Sequence, residues 1–274
     1  MRLFVDTHTH SQFSPDSKAT VEDLLLQAKK AGAAGVCITD HLDLDAPRNP
    51  GLFEFSIDAQ QREIEEKKHQ IFPDGSCKVL KGIEVGLTPE NLEHSRAYIA
   101  GHSFDQIIAS IHFVDGEDPY YGNYYEGKNF KRAYSRVLEL IYQTAKDFKN
   151  FDIIGHFDYV ARYAPYKVRD IFYKDFPDEL DTLLKFLAQE GKALEINTKT
   201  YDYHGDHLQV LDTDILRRFR ELGGEFVTLG SDSHSADRIC DKFENFAEIC
   251  RECGFPRLAY FENRKPVLYQ WKTR

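Results

Sequence analysis

The sequence has no long apolar run. Spanning a bilayer as a helix takes roughly 18 or more consecutive apolar residues, and no stretch of this chain approaches that length. The first residues lead directly into a strand-like run, without the charged and then apolar segment of a secretory leader. We therefore expect no membrane-spanning helix, and a cytoplasmic protein with no membrane partner.

Cysteine is scarce and its spacing is irregular. The chain has 5 cysteines, an odd number, which argues against a disulfide framework. Cys250 and Cys253 form a CxxC pair. A zinc ribbon needs a second such pair, and a redox motif needs a thioredoxin-like context. We therefore interpret these side chains as reduced thiols with no assigned role.

Positive charge, internal repeats and low-complexity tracts are also lacking. Lys and Arg number 35 against 45 Asp and Glu, so the formal net charge is −10. A general nucleic-acid-binding surface needs basic patches, so we expect no nucleic-acid partner. The absence of repeats argues against a solenoid. A length of 274 residues suits one folded unit, and we predict a single domain over residues 1–274.

The chain does contain a series of β-rich apolar runs that end on or near His, Asp or Glu. Seven runs have this form, at residues 3–10, 35–41, 79–86, 106–114, 151–159, 193–198 and 225–234. Helix-like stretches with capping residues lie between them, at residues 21–31, 181–190 and 214–222. Strands that alternate with helices predict an α/β fold with parallel strands, and seven such units indicate closure into a barrel.

Nine metal-capable side chains lie at the ends of these runs. The first two, His8 and His10, project from the same face of a strand because they are two residues apart. Imidazole and carboxylate together suit borderline divalent metals such as Zn, Fe, Mn or Co. Nine ligands exceed the needs of one ion, so we expect a multinuclear site suited to phosphate esters. The set is His8, His10, Asp16, His41, Glu84, His112, His156, Asp232 and His234.

Two irregular stretches, residues 43–55 and 115–128, separate strand-like runs from the helices that follow. In α/β barrels the site lies at the C-terminal ends of the strands, where the strand-to-helix loops surround it. We therefore predict that these two loops cover the site and select the substrate.

Several stretches of the chain together resemble one family. They lie between about residue 8 and residue 259 and read DTHTHSQFSPDS, ITDHLD, GIEVG, SIHFVDGEDPYY, GHFDYVARY, EINT and GSDSH. They are similar to the PHP (polymerase and histidinol phosphatase) family, and most resemble its stand-alone L-histidinol-phosphate phosphatases. The resemblance implies a distorted seven-stranded (β/α)7 barrel with a trinuclear metal centre.

Carried onto this chain, the resemblance implies three metal sites. The ligand sets would be His8, His10, Glu84 and Asp232 for the first, a bridging Glu84 with His112 and His156 for the second, and Asp16, His41 and His234 for the third. Many family members have His at the position of Asp16, a change that affects the metal preference of the third site. Asp6 and Asp40 are expected to orient metal-binding imidazoles.

The resemblance also indicates how a phosphate is held. Arg162 is similar to the family's phosphate-binding arginine, whose planar fork suits two parallel contacts. A salt bridge at the rim is the alternative for Arg162. Lys199 is a second candidate for binding the phosphate. The sequence assigns no donor for the proton that a leaving alkoxide needs.

The function that the resemblance implies is hydrolysis of L-histidinol phosphate, a small phosphate ester, in histidine biosynthesis. The implied cofactors are three divalent transition-metal ions, Zn, Fe or Mn. Another PHP-family hydrolase, acting on a nucleotide, a phosphoprotein or a nucleic-acid end, is one alternative. The negative charge disfavours a nuclease, which would need a basic groove. A non-enzymatic metal-binding relative is the other alternative, and the complete set of nine ligand side chains argues against it.

Overall fold

The computed structural model describes residues 4–44 and 46–271. Within these residues the chain forms twelve strands: β1 Val5–Thr9, β2 Gly35–Ile38, β3 His41–Leu42, β4 Lys78–Gly86, β5 Gln106–Ser110, β6 Ile153–Ile154, β7 Ala193–Asn197, β8 Tyr203–His204, β9 His207–Leu208, β10 Val227–Gly230, β11 Leu258–Glu262 and β12 Lys265–Tyr269.

The same residues form eight α-helices: α1 Val21–Ala31, α2 Ile57–Ile71, α3 Leu92–Ile99, α4 Phe130–Phe148, α5 Tyr159–Arg162, α6 Pro177–Gln189, α7 Thr213–Glu221 and α8 Phe243–Glu252. Short 3₁₀ turns occur at Pro119–Tyr121, Asn123–Tyr125, Tyr173–Asp175 and Ala236–Arg238. No helix among the described residues has the length and apolar character needed to cross a membrane.

Seven strands form a parallel sheet in the order β1-β2-β4-β5-β6-β7-β10, and the short strand β3 pairs with the end of β4. The first and last strands of this path meet at their C-terminal ends. There the Asp232 N–H donates to the His8 carbonyl, and the His10 N–H donates to the Ser233 carbonyl, both at 2.9 Å. The sheet is therefore nearly closed into a barrel, which confirms the predicted fold.

Burial and capping explain these elements. Every residue of β2 and β5 is buried, as expected of parallel strands covered by helices on one face and by the barrel interior on the other. Helix α1 begins after Thr20, whose side chain accepts from the Asp23 N–H, and ends at Gly32 in the left-handed conformation. Helix α6 starts at Pro177, earlier than predicted, because proline suits the first helical turn.

Six of the seven predicted strands are shorter than the apolar runs that indicated them, and the second and fifth runs illustrate this. The second run leaves its strand after Ile38, and the His41 N–H donates to the Ser14 hydroxyl. The fifth run contributes only Ile153–Ile154, and the His156 N–H donates to the Glu195 carboxylate. In both runs the histidine N–H donates to a side chain and not to a neighbouring strand, so the backbone hydrogen bonding of the sheet stops before the histidine.

The C-terminal hairpin of β11 and β12 was not predicted from the sequence. Its Tyr260 packs with Val5 and Leu80, near the beginnings of two barrel strands. Arg264, in the hairpin turn, pairs with Asp152 just before β6 at 2.5 Å. The hairpin therefore covers the N-terminal end of the barrel and leaves the C-terminal ends of the strands for the site.

Candidate metal centre

The C-terminal ends of the barrel strands bring the nine predicted ligands to one place. His8 lies on β1, His41 on β3 and Glu84 on β4, and the others follow the ends of β1, β5, β6 and β10. Asp16 is exposed and His234 is partly buried, whereas the other seven side chains are buried.

Glu84 is at the centre of this cluster. Its Oε2 atom lies 3.3 Å from His8 Nε2 and 2.7 Å from His41 Nδ1. Its Oε1 atom lies 2.8 Å from His156 Nε2 and 3.4 Å from His112 Nε2. Each carboxylate oxygen therefore faces a different pair of imidazoles, which is the arrangement required of a group that bridges two ions.

Asp232 lies beside the His8 and His10 pair. Its Oδ1 atom is 3.4 Å from His10 Nε2, and its Oδ2 atom accepts from the Asn197 side chain at 3.2 Å. Asp232 has a φ of 50°, in the left-handed region that residues with side chains seldom adopt. Such a conformation costs free energy and tends to persist at functional sites, where surrounding contacts hold it.

The third group lies closer to the protein surface. His41 Nε2 and His234 Nε2 are 3.3 Å apart, and Asp16 Oδ2 lies 3.2 Å from His234 Nε2. The two ring nitrogens of His41 face in different directions, since Nδ1 is directed at Glu84 and Nε2 at His234. His41 therefore connects this outer group to the central carboxylate.

The spacing of these atoms suits metal ions. Two ligand atoms that are each about 2.1 Å from a tetrahedral ion lie about 3.4 Å apart. Several pairs in the cluster are separated by 3.2 to 3.7 Å. His8 Nε2 and His10 Nε2 are buried and have no hydrogen-bond partner within the described part of the chain. Buried polar atoms are normally satisfied, so this donor set of nitrogens and oxygens fits divalent cations.

Two carboxylates accept hydrogen bonds from the Nδ1 atoms of His8 and His112, and neither carboxylate was predicted from the sequence. Glu195 Oε1 accepts from His8 Nδ1 at 2.7 Å, and its Oε2 accepts from the His156 backbone N–H at 2.7 Å. Asp43 Oδ1 accepts from His112 Nδ1, also at 2.7 Å. A hydrogen bond at Nδ1 fixes the tautomer and leaves Nε2 as the ligand atom.

Two glycines make room for these carboxylates. A Cβ atom on Gly86 would lie 1.8 Å from Asp43 Oδ1, and a Cβ atom on Gly230 would lie 2.2 Å from Glu195 Oε1. Neither position accepts a side chain while the carboxylate keeps its place. Gly86 ends β4 and Gly230 ends β10, and a glycine within a strand is the sequence feature that could have indicated a side chain packed closely against the backbone.

Asp6 and Asp40 were expected to orient metal-binding imidazoles, and the hydrogen bonds of both go to backbone N–H groups or to other side chains and not to an imidazole ring. Asp6 accepts from three backbone N–H groups, including that of Cys240, and so fastens β1 to the segment after β10. Asp40 accepts from Ser14 Oγ at 2.8 Å, and Ser14 Oγ accepts from His10 Nδ1 at 3.2 Å. Asp40 therefore orients an imidazole through one hydroxyl group, and Asp6 positions the backbone.

Imidazoles and carboxylates within the cluster shift one another's pKa values. Burial opposes ionisation of Glu84, but the nearby His8 and His41 imidazoles hold its pKa well below the ordinary value. Burial likewise opposes protonation of His112, but Asp43 and Glu84 raise its pKa well above the ordinary value. A cation that binds here must therefore compete with protons on the imidazoles.

The two predicted phosphate-binding residues lie against Asp232. Arg162 is buried, and it donates from Nε to Thr200 Oγ1 and from Nη1 to Asp232 Oδ2, both at 2.8 Å. Lys199 is partly exposed, and its Nζ lies 3.3 Å from Asp232 Oδ1 and 3.0 Å from His234 Nδ1. The salt bridge considered for Arg162 is present, but it is buried within the site and not on the rim.

A cavity of about 620 Å³ opens above the cluster, a volume that suits a small molecule. Its lining includes His112 and Arg162 as well as Phe53 and Tyr121 from the two predicted loops. Arg48 joins these loops, because it pairs with Glu117 across 3.4 Å and lies 4.1 Å from the Tyr121 ring. The described parts of both loops thus lie over the site as predicted, and Asp45 falls outside the described residues.

Comparisons with known proteins agree with this geometry. A family model described as the PHP domain matches residues 6–199. A probable histidinol-phosphatase of Clostridium acetobutylicum is 32% identical over 262 residues, which cover 96% of this chain and 98% of that protein. A histidinol-phosphatase of Lactococcus lactis is also 32% identical over 262 residues, which cover 95% of each chain.

A solved structure is similar over the same length. It is the crystal structure of histidinol phosphate phosphatase from Lactococcus lactis in complex with zinc, L-histidinol and phosphate. The TM-score is 0.86 and the identity 31%, and the match covers 97% of this chain and 99% of that one. Since the family model matches more than half of the residues and full-length relatives exceed 30% identity, this chain belongs to the PHP domain family.

Proposed function

We propose that this chain is a phosphoric monoester hydrolase that converts L-histidinol phosphate to L-histidinol and phosphate, a step of histidine biosynthesis. The observation that carries the proposal is the cluster of imidazoles and carboxylates at the base of a cavity sized for a small molecule. Full-length similarity to histidinol-phosphatases, one of them solved with zinc, L-histidinol and phosphate, supports the same substrate.

The cofactors in this proposal are three divalent ions. They would be held by His8, His10, Glu84 and Asp232, by Glu84, His112 and His156, and by Asp16, His41 and His234. Zinc, iron and manganese all suit nitrogen and oxygen donors of this kind. When bound, such ions supply a water that is deprotonated near neutral pH and positive charge against the phosphoryl oxygens.

Arg162 is placed to hold the phosphoryl group. Its Nη2 atom is buried and has no partner among the described residues, although the rest of the guanidinium is fixed by Thr200 and Asp232. A buried N–H group beside the cavity suits a phosphoryl oxygen, because a charge-assisted hydrogen bond would satisfy it. The Asp232 contact also fixes the plane of the guanidinium, so the group is oriented before the substrate arrives.

Lys199 places a second positive charge at the same end of the cavity. Its ammonium group lies between Asp232 and His234 and remains partly exposed to the cavity. Lysine acts on phosphate as a point charge rather than a fork. We infer that it attracts the phosphate dianion and that Arg162 sets its orientation.

The cavity and the overall charge both favour a small ester over a nucleic-acid end. The described parts of the loops at residues 43–55 and 115–128 contribute aromatic side chains to the cavity lining. The net charge of −10 would repel a phosphate backbone. We therefore propose a small-molecule substrate and no nucleic-acid partner.

Phosphate release from a panel of phosphomonoesters tests this function. The panel holds L-histidinol phosphate, a nucleoside monophosphate, a phosphotyrosine peptide and p-nitrophenyl phosphate, each assayed with metal-depleted protein and with added Zn, Mn or Fe. We expect kcat/KM for L-histidinol phosphate to exceed the other values by about 100-fold or more. A flat profile, or a preference for the nucleotide or the peptide, would overturn the proposed substrate.

A further inference from the structure

We propose that Asp118 binds the ammonium group of the substrate and so selects phosphate esters that carry an amine. The inference rests on the proposed function, because L-histidinol phosphate bears a protonated primary amine one carbon away from the carbon that carries the phosphate oxygen. Such a substrate needs a cationic subsite for the phosphate and an anionic subsite for the amine, close together in one cavity.

Four carboxylates line the cavity, and three of them are engaged. Asp16 faces His234, Asp43 accepts from His112, and Asp232 pairs with Arg162 and Lys199. Asp118 is the one lining carboxylate that pairs with no imidazole or cationic side chain among the described residues. Its negative charge is therefore available to a ligand.

Asp118 is held in a defined orientation. Its Oδ1 atom accepts from the Tyr120 backbone N–H at 2.8 Å and from the Tyr159 hydroxyl at 3.1 Å. Both bonds end on the same oxygen, so Oδ2 has no partner within the described residues. Because hydrogen bonds hold one oxygen in place and the other oxygen has none, the carboxylate is positioned to accept a hydrogen bond from an ammonium group.

Tyr159 links this carboxylate to the metal centre. The Tyr159 ring lies 5.4 Å from the His112 ring and 5.3 Å from the His156 ring, centroid to centroid. The Arg162 guanidinium lies 5.5 Å from the centroid of the same ring. One tyrosine side chain therefore contacts Asp118 through its hydroxyl group and the residues of the phosphate end of the cavity through its ring, which places the two proposed subsites in the same cavity.

Aromatic side chains surround Asp118. Tyr120 and Tyr163 make an edge contact at 5.2 Å, Tyr120 contacts Tyr121 at 5.1 Å, and all three line the cavity. Tyr120 and Tyr121 are well exposed, so their rings are accessible to a ligand in the cavity. Aromatic faces beside a carboxylate suit a ligand that combines a cation with a flat ring.

A purely structural role for Asp118, as the cap of the 3₁₀ turn at Pro119–Tyr121, predicts different behaviour. Asp118→Asn keeps an oxygen that can accept both existing hydrogen bonds, so it removes the charge and leaves the turn intact. Glu126→Gln is the matched control, because this exposed acid of the same loop loses the same charge and does not line the cavity.

The decisive comparison uses two esters that differ only in the amine. These are L-histidinol phosphate and its analogue with hydrogen in place of the amino group. In Asp118→Asn we expect kcat/KM for L-histidinol phosphate to fall about 10- to 100-fold, the value of a hydrogen bond to a charged group. We expect less than about a threefold change for the amine-free ester, and no change for either ester in Glu126→Gln. Equal losses on both esters, or no loss on either, would overturn the inference.

Binding of L-histidinol separates this inference from the proposed function. L-Histidinol has no phosphate to lose, so calorimetry with the zinc-loaded protein measures recognition of the amine whether or not the ester is hydrolysed. We expect Asp118→Asn to weaken L-histidinol binding about 10-fold or more and to leave the amine-free alcohol unaffected. Poor hydrolysis of L-histidinol phosphate by the unaltered protein would instead contradict the proposed function. Unaltered L-histidinol binding in Asp118→Asn would contradict the inference.

Discussion

Replacing Glu195 by Gln is expected to weaken metal binding while the barrel stays folded. Glu195 is fully enclosed, and its two oxygens accept separately from His8 Nδ1 and from the His156 N–H, each at 2.7 Å. A glutamine amide has only one oxygen, so its NH₂ group must face one of these two donors. The variant therefore loses at least one buried hydrogen bond, since Oε2 also accepts from the Asn197 side chain, and it loses the charge that favours the ligand tautomer of His8.

The expected size of the effect follows from these contacts. A hydrogen bond to a charged group is worth about 1.5–3 kcal/mol, and each 1.4 kcal/mol corresponds to about tenfold in affinity. Loss of the carboxylate partner of a metal-binding imidazole typically weakens metal binding by about 10–100-fold. We therefore expect zinc affinity to fall 10–100-fold in Glu195→Gln, with activity partly recovered at high zinc concentration.

Competition with a chromophoric chelator measures the affinity, and thermal unfolding of the metal-depleted protein monitors the fold. Glu190→Gln is the matched control, because Glu190 is an exposed acid at the end of α6. Zinc affinity equal to that of the unaltered protein would refute the assigned role of Glu195. A large loss of thermal stability without metal would show that Glu195 acts mainly in folding.

Three further predictions concern the same centre. Glu84→Gln should lower kcat by about two to three orders of magnitude, because the central carboxylate faces four imidazoles. Steady-state kinetics together with elemental analysis of the metal content checks this. Arg162→Ala should lower kcat/KM about 10²–10³-fold on every phosphomonoester, and Arg162→Lys should restore kcat/KM only partly. Assays of both variants on L-histidinol phosphate and p-nitrophenyl phosphate check this. Zinc binding should release protons and weaken as pH falls. Burial opposes protonation of His8 and His112, but nearby carboxylates raise the pKa values of both imidazoles, so zinc must displace protons from them. Calorimetry in buffers of different ionisation enthalpy counts the protons released.

Each of these predictions has a contradicting outcome. Glu84→Gln with a full metal complement and unchanged kcat would remove the bridging role. Metal content must be measured in Arg162→Ala, since Arg162 also holds Asp232; near-normal kcat/KM at full metal content would remove Arg162 from the phosphate site. Zinc binding without proton release would contradict the competition between cation and protons. One metal equivalent or fewer in a fully active sample would contradict the proposed three ions.

The barrel could be predicted because its signal is local and repeated. Buried parallel strands need continuous apolar runs, and β2 and β5 satisfy this along their whole length. The caps of α1 at Thr20 and Gly32 lie next to the residues they serve, so they too were predictable. The C-terminal hairpin was missed because its burial depends on strand ends far away in the chain, such as that of Val5. The prediction of one domain over residues 1–274 stays a prediction.

The sequence by itself determined the barrel and the chemical character of the site, because strand periodicity and the ends of strands are properties of neighbouring residues. The tertiary structure alone decided which groups hold those side chains in place. Glu195 reaches His8 across 187 residues of sequence, and Asp43 reaches His112 across 69. Such contacts are set by the relative placement of several strands, which no local pattern encodes. For the same reason, Asp118 can be distinguished from the other acids of the cavity only after each of their partners is known.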